Sequence, residues 1–217
     1  DGIKPNGIQN GNLNLALTNG VFKEFCLKAA QNKKENFFFI VDEINRADIA
    51  AVFGETLSLL EENYRGESIK PKNYTLSKQE FSIPSNIYFI GMMNDVDKSI
   101  DCFDLALRRR FAWVLVECDY EVVENATDKA YETKCESLNS YITKEEYQLK
   151  GSKKTDGLNL GRAYEIGHSY FLKKEAMSEQ QIWDRHIEPI LREYIRTQFG
   201  DGETEKKLKT AKKIFVG

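Results

Sequence analysis

The chain has 217 residues, 41% of them hydrophobic and 12% aromatic, which suits one large globular domain or a domain with a smaller companion. A net charge of −3 argues against a strongly basic, DNA-coating module, and no apolar run reaches the length of a membrane span or forms a signal peptide. Cys26, Cys102, Cys118 and Cys135 are scattered without metal-ligand spacing. With only His168 and His186 beside them, the pattern fits free thiols in a reducing cytoplasm rather than a metal centre.

Taken in order, residues 1–17 are rich in Gly and Asn and hold Pro5, so they read as loop. The chain lacks an initiator Met and starts mid-loop at Asp1, as an excised fragment would. A helical period begins near Asn19 and Gly20, with Val21, Phe22, Phe25, Cys26 and Ala29 on one face and Lys23, Glu24 and Lys28 on the other. Phe37 to Val41 form a short, continuously apolar run, the signature of a strand buried on both faces of a parallel sheet. Two carboxylates, Asp42 and Glu43, follow at once. Acids in that position suit phosphoryl-transfer chemistry, because ligands bind outside the carboxyl ends of such strands; the same acids also suit capping of the next helix. Asn45 or Asp48 can cap a helix that turns Ile49, Val52, Phe53, Leu57 and Leu60 inward.

Residues 69–83 alternate weakly and suggest a small hairpin projecting from the sheet, closed by Pro84, Ser85 and Asn86. Ile87 to Met93 repeat the buried-strand signature and end in Asn94. A polar loop with Asp95, Asp97, Lys98 and Ser99 leads to a short helix from Asp104 through Arg110, then to a third apolar strand, Phe111 to Val116. This order describes an α/β layout with a mainly parallel sheet. From Glu117 onward the pattern is helical and polar, so a boundary falls near residue 118. Ser178 with Gln181 makes a capping box for a helix bearing Ile182, Trp183, Ile187, Ile190, Leu191 and Tyr194, with Pro189 as a kink. The Lys-rich stretch from Glu203 to Lys213 reads as a solvated last helix or tail, with nucleic-acid contact as the alternative.

Chemistry concentrates where strand ends meet. One apolar strand ends in Asp42 and Glu43, the next in Asn94, and Arg108, Arg109 and Arg110 follow on a short helix. An Asn beside the acids can hydrogen-bond an attacking water or a terminal phosphate. Successive helical residues sit about 100° apart, so the three arginines cannot share one ligand. One can bond within its own domain while one or two face outward, where one could reach a neighbouring subunit's nucleotide as an arginine finger; a surface ion-pair cluster or a core-edge Arg is the alternative.

These residues carry a family resemblance. Phe38 to Arg46 looks like the Walker B segment of AAA+ ATPases. The runs Asp42 to Ala47, Val52 to Glu55, Arg65 to Glu67, Ile90 to Asn94 and Ala106 to Phe111 resemble the McrB family. Those proteins are the GTP-hydrolysing motor subunits of modification-dependent, 5-methylcytosine-specific restriction endonucleases. Ile166 to Phe171 fits the same family. The resemblance implies a partial AAA+ (P-loop NTPase-like) three-layer α/β core over residues 1–118 and a helical lid over 119–217. It implies Mg²⁺ on Asp42, Glu43 as general base, and Asn94 as sensor with Asp97 in its signature. Lys98 stands where the family has Arg, keeping the charge and losing the bidentate fork. Arg108 and Arg109 become the trans-acting finger candidates, and Arg162 and His168 the lid residues that reach nucleotide. The implied cofactors are Mg²⁺ and GTP, with ATP as alternative. The implied partners are a homo-oligomeric ring, an McrC-like nuclease subunit and DNA in the intact complex, without a membrane.

One element of the pattern is missing. No Gly-x-x-x-x-Gly-Lys-Ser/Thr occurs in these residues; the resemblance implies that the loop that cradles phosphates lies N-terminal to them. The chain by itself is expected to bind nucleotide poorly and to hydrolyse none. Two rivals share the sequence features: a MoxR-like chaperone ATPase, and a non-catalytic AAA+-like scaffold that has no need of the acids.

Overall fold

A computed structural model describes residues 2–9, 12–94, 96, 105–147 and 155–217. The chain divides into two compact units, Asp1–Trp113 and Val114–Gly217.

The first unit opens with an antiparallel hairpin, β1 (Gly2–Gln9) and β2 (Asn12–Thr18), where loop was expected. The signal is a two-residue alternation hidden among Asn and Gly. The register sets Ile3 against Leu17, Pro5 against Leu15 and Ile8 against Leu13, with a shift between Pro5 and Ile8 that accommodates Gly7 at φ 87°. Helix α1 (Val21–Gln31) follows. Phe22, Phe25, Cys26 and Ala29 do face the core, whereas Val21 is 77% exposed and Lys23, expected outside, is buried.

Strand β3 (Phe37–Val41) pairs in parallel with a later strand, β6, described below, with Phe37 beside Ile87 and Val41 beside Gly91. Alternate residues take opposite faces. Phe37, Phe39 and Phe89 meet Phe22, Phe25 and Phe53 in edge-on ring contacts, for example Phe22 to Phe39 with centroids 4.8 Å apart. Each such pair adds roughly 0.5–1.5 kcal/mol beyond burial. The opposite face carries Phe38 and Ile40, 55% and 58% exposed. The expectation of burial on both faces therefore fails for β3, because the described helices cover one side only.

Asp48 caps α2 (Ile49–Phe53), its Oδ1 accepting the Ala51 N–H at 2.9 Å. The helix is shorter than its apolar period. Gly54, at φ 49°, breaks it, and a 3₁₀ stretch Gly54–Leu60 continues the chain. Ile49, Leu59 and Leu60 are buried, but Val52 points out at 69% exposure. The expected hairpin is present as β4 (Ser68–Ile69) paired with β5 (Phe81–Ser82), with a single helical turn, α3 (Tyr74–Ser77), in its loop. Asn86 then fastens the start of β6 (Ile87–Gly91): its Nδ2 donates to the carbonyls of Ala29, Asn32 and Glu35, tying the end of α1 to the sheet. Helix α4 (Leu105–Arg108) closes the unit.

Phe111 to Val116 form no strand. Among the described residues no strand lies alongside to complete a ladder, and Val114 and Val116 are each 82% exposed.

The second unit is helical, with α5 (Tyr120–Ala126), α6 (Lys129–Thr143), a two-residue ribbon of β7 (Glu146–Tyr147) and β8 (Thr155–Asp156), α7 (His168–Phe171) and α8 (Glu179–Ile182). The capping box is formed as expected: Ser178 Oγ accepts the Gln181 N–H while Gln181 Oε1 accepts the Ser178 N–H. A π turn over Trp183–Ile187 leads into α9 (Glu188–Phe199). Pro189 offers no N–H and its ring crowds the carbonyl four residues back, and the widened turn absorbs that clash. Helix α10 (Asp201–Phe215) is the last helix expected there, but one face of it is not solvated: Thr204, Leu208, Ala211 and Phe215 are buried. Phe215 meets Tyr131, Phe171 and Trp183 with ring centroids 5.8, 5.9 and 6.4 Å apart.

Candidate active site

Parallel pairing of β3 and β6 brings two strand ends to one edge. Beyond the strands the ladder continues: Met92 N donates to Val41 O at 2.8 Å, and Ile44 N donates to Met92 O at 3.0 Å. The acid turn is thereby clamped to the segment that leads into Asn94. Gly91 permits this approach. A Cβ there would lie 2.7 Å from Ile44 Cδ1 and 3.1 Å from Ile44 Cγ2.

Asp42 is exposed, and its Oδ1 accepts the Glu43 N–H at 2.9 Å. Its second oxygen has no protein partner among the described residues. Glu43 sits in the left-handed region at φ 51°, ψ 44°. For a non-glycine residue this conformation is uncommon and is worth roughly 1–3 kcal/mol of strain. It turns the chain into the 3₁₀ segment Ile44–Arg46. Arg46 reaches back, its Nε 3.3 Å from Glu43 Oε2. Asn45 lies between them, buried.

Asn94 is exposed and makes a local turn, Oδ1 accepting the Val96 N–H at 3.1 Å. That bond leaves the amide hydrogens of Nδ2 as donors. Asp97, with Lys98, lies outside the described residues.

The arginine helix is anchored to the same turn. Leu107 is buried with Ile44 and Ile49, packed by Val41, Phe89 and Met93, so α4 rests directly on the residue after Glu43. The three arginines then divide as helical geometry requires. Arg110 is spent within its own unit, Nε to Glu61 Oε1 at 2.8 Å, with only 17% of its side chain exposed. Arg108 lies over the Trp113 ring, whose Nε1 donates to the Arg108 carbonyl. Arg109 is exposed and enters no ion pair among the described residues.

The two lid candidates are both engaged near the start of the second unit. Arg162 Nη1 lies 3.0 Å from Glu117 Oε1, and His168 Nδ1 accepts the Asp119 N–H at 3.1 Å. The second contact requires an unprotonated Nδ1. Beside them lies a buried network that sequence reasoning passed over. Asn139 Oδ1 accepts the Ile166 N–H, and its Nδ2 donates to Ile166 O and Tyr120 Oη. Glu165 accepts from Tyr120 Oη at 2.7 Å and from Cys118 N at 3.1 Å. Burial first, and the Glu165 carboxylate second, push the Cys118 thiol up to about 12 and raise the Tyr120 phenol as well. The available signal was an Asn on the apolar stripe of a helix, a buried polar residue that must find partners.

The donor set at the acid turn is carboxylate oxygen without His or Cys, and no cluster of three or more metal-ligating side chains occurs among the described residues. This fits Mg²⁺, which binds through one or two carboxylates and keeps its remaining positions for water and phosphate. Asp42, with one oxygen unengaged among the described residues, is the side chain there that could hold such an ion.

Residues 8–111 match the AAA domain (dynein-related subfamily), and residues 132–202 match the McrB alpha-helical lid domain. The chain belongs to the McrB-like AAA+ family. It is 32% identical over 211 aligned residues to the Type IV methyl-directed restriction enzyme EcoKMcrB subunit of Escherichia coli (strain K12), covering 89% of this chain and 43% of that protein. It is 33% identical over 111 residues to the Type II restriction enzyme BsuMI component YdiS of Bacillus subtilis (strain 168), covering 46% of this chain and 32% of that one. The chain thus spans less than half the length of either relative. An α/β unit with a parallel strand pair, followed by a helical unit, is the architecture these matches carry.

Proposed function

We propose that this McrB-like chain supplies the catalytic acids, sensor and lid of a nucleoside triphosphatase, the motor subunit of a restriction system. The observation that carries the proposal is the acid turn: Asp42 and Glu43 at the carboxyl end of β3, clamped to the end of β6 and packed through Ile44 against Leu107 of the arginine helix. Glu43 takes the proton of the attacking water, Asn94 Nδ2 orients that water or the terminal phosphate, and Asp42 holds Mg²⁺. When bound, the ion neutralises developing phosphate charge. Arg109, outward and without an ion pair among the described residues, is the preferred finger toward a neighbouring subunit's nucleotide, with Arg108 second. Asp97 completes the sensor signature.

GTP is the proposed nucleotide, hydrolysed in a homo-oligomeric ring that drives translocation on DNA while a separate McrC-like nuclease subunit cuts. The support is the likeness to the restriction subunits and the McrB-type lid. The site reads in oxygen and nitrogen groups around phosphate, so the base of the nucleotide is recognised elsewhere.

Steady-state turnover by the full-length protein tests the proposal. Mg²⁺-dependent hydrolysis of GTP, competed weakly by ATP, is expected. Preference for ATP would instead favour the MoxR-like chaperone, and absence of turnover with either nucleotide would favour the scaffold. The 217-residue chain alone is expected to show none, for want of a phosphate-cradling loop.

A further inference from the structure

Arg46 forms an ion pair with the proposed general base, Glu43, and the geometry of the pair is specific. Glu43 caps the three-residue 3₁₀ turn Ile44–Arg46, which brings Arg46 back toward it. The Arg46 N–H closes the turn on the Glu43 carbonyl at 2.9 Å, and Nε approaches Oε2 at 3.3 Å. Oε2 is sealed from solvent although the Glu43 side chain as a whole is 41% exposed, and the approach is an ion pair without hydrogen-bond alignment. The left-handed backbone at Glu43 fixes the direction from which this happens.

Stability does not account for the pair. Arg46 is 61% exposed, and an exposed ion pair at this spacing adds little to a fold. The Arg110–Glu61 pair, shorter and largely shielded, is the structural one. What Arg46 can do is decide which carboxylate oxygen is open. We infer that Arg46 is a positioning residue for Glu43, acting within its own subunit: the guanidinium covers Oε2 and presents Oε1 to the attacking water. This rests on Glu43 being the general base. The water then gives its proton to Oε1 as its oxygen bonds the γ-phosphorus. The bond from that phosphorus to the bridging oxygen breaks with its electron pair going to the nucleoside diphosphate, and the proton departs from Glu43 with the released phosphate.

The test uses steady-state hydrolysis and equilibrium nucleotide binding by the full-length protein carrying Arg46→Ala, Arg46→Lys or Glu43→Gln. Misplacing a catalytic group by about 1 Å costs on the order of 10²-fold. Arg46→Ala is therefore expected to lower kcat by about 10- to 100-fold, with KM and nucleotide binding nearly unchanged. Arg46→Lys, which keeps the charge at the same spacing, is expected to recover part of the loss. Mixing Arg46→Ala with Glu43→Gln protein is expected to restore nothing, since the intact Glu43 still lacks its own Arg46. Wild-type kcat in Arg46→Ala would overturn the inference. So would a raised KM at unchanged kcat, which makes Arg46 a substrate contact, or recovery on mixing, which makes it act across subunits. Full activity in Glu43→Gln would instead remove the proposed function itself.

Discussion

The two units treat their aromatic residues in opposite ways. In the second, Trp183, Phe171 and Phe215 are fully buried and Tyr131 nearly so, closed over by α6, α9 and α10. In the first, one face of the β3–β6 pair is packed by phenylalanines from α1 and α2, while the other shows Phe38, Ile40 and Tyr88 at 55, 58 and 49% exposure. The helical unit thus closes a sealed core, while the other leaves a one-sided sheet. The sealed unit holds its polar groups in fixed pairs, as with Asn139 and Glu165. The one-sided unit carries the strained, accessible residues. Accessible side chains over a rigid strand edge are what chemistry on a bound ligand requires.

The contrast makes unequal demands on substitution. Trp183→Ala is expected to remove about 3–5 kcal/mol of stability by opening a cavity among closed rings, measured by chemical denaturation followed by circular dichroism. A loss under about 1 kcal/mol would mean the second core is loosely packed. Alkaline titration should separate the units next. Cys118 in the second unit, like Cys26 in the first, is pushed from 9.0 to about 12 by burial. Cys135, Tyr120, Tyr131 and Tyr141 in the second unit are also raised, each chiefly by burial. A raised acid binds its proton more tightly when folded, so its stabilisation is complete below the unfolded value and falls as pH climbs toward the folded one. Melting temperatures recorded from pH 8 upward should hold to about pH 9 and then decline. The second unit, read through Trp183 in a Trp113→Phe background, should decline more steeply than the first.

Gly91→Ala tests the close approach in the first unit. The new methyl meets Ile44, so a loss of about 1–3 kcal/mol is expected, together with reduced turnover from a displaced Glu43. Unchanged stability and turnover would show that Ile44 yields without moving the acid turn. Phe38→Ala, on the open face of the sheet, is expected to cost least, below about 1 kcal/mol. A cost near that of Trp183→Ala would mean that Phe38 is covered in solution.

Much of the site was legible before the structure because it depends on local pattern. Apolar runs ending in acids or Asn mark β3, β6 and the turns that follow them, and helical geometry required the three arginines to divide without saying which one bonds within its own unit. The capping box at Ser178 follows from two residues alone. What escaped depended on partners. The alternation of Leu13, Leu15 and Leu17 is clear only once Ile3, Pro5 and Ile8 lie across from it, since Gly and Asn around it argue for loop. Phe111 to Val116 have strand composition but no neighbouring strand among the described residues, and a ladder needs both sides. Helix α10 looks solvated because Lys residues surround a thin stripe of Leu208, Ala211 and Phe215, whose burial is decided by α6 and α9. The i, i+3 spacing of Glu43 and Arg46 permits a pair, yet only the structure shows Arg46 Nε 3.3 Å from a buried Glu43 Oε2.

The central claim is that the strained acid at the end of β3 performs chemistry rather than capping a helix; the structure gives the capping role to Asp48. Glu43→Gln in the full-length protein, assayed at saturating Mg²⁺ and nucleotide, tests it most directly. Loss of a general base typically lowers turnover by about 10²- to 10⁴-fold, and that loss is expected here with nucleotide binding retained. Turnover equal to the parent protein would contradict the account.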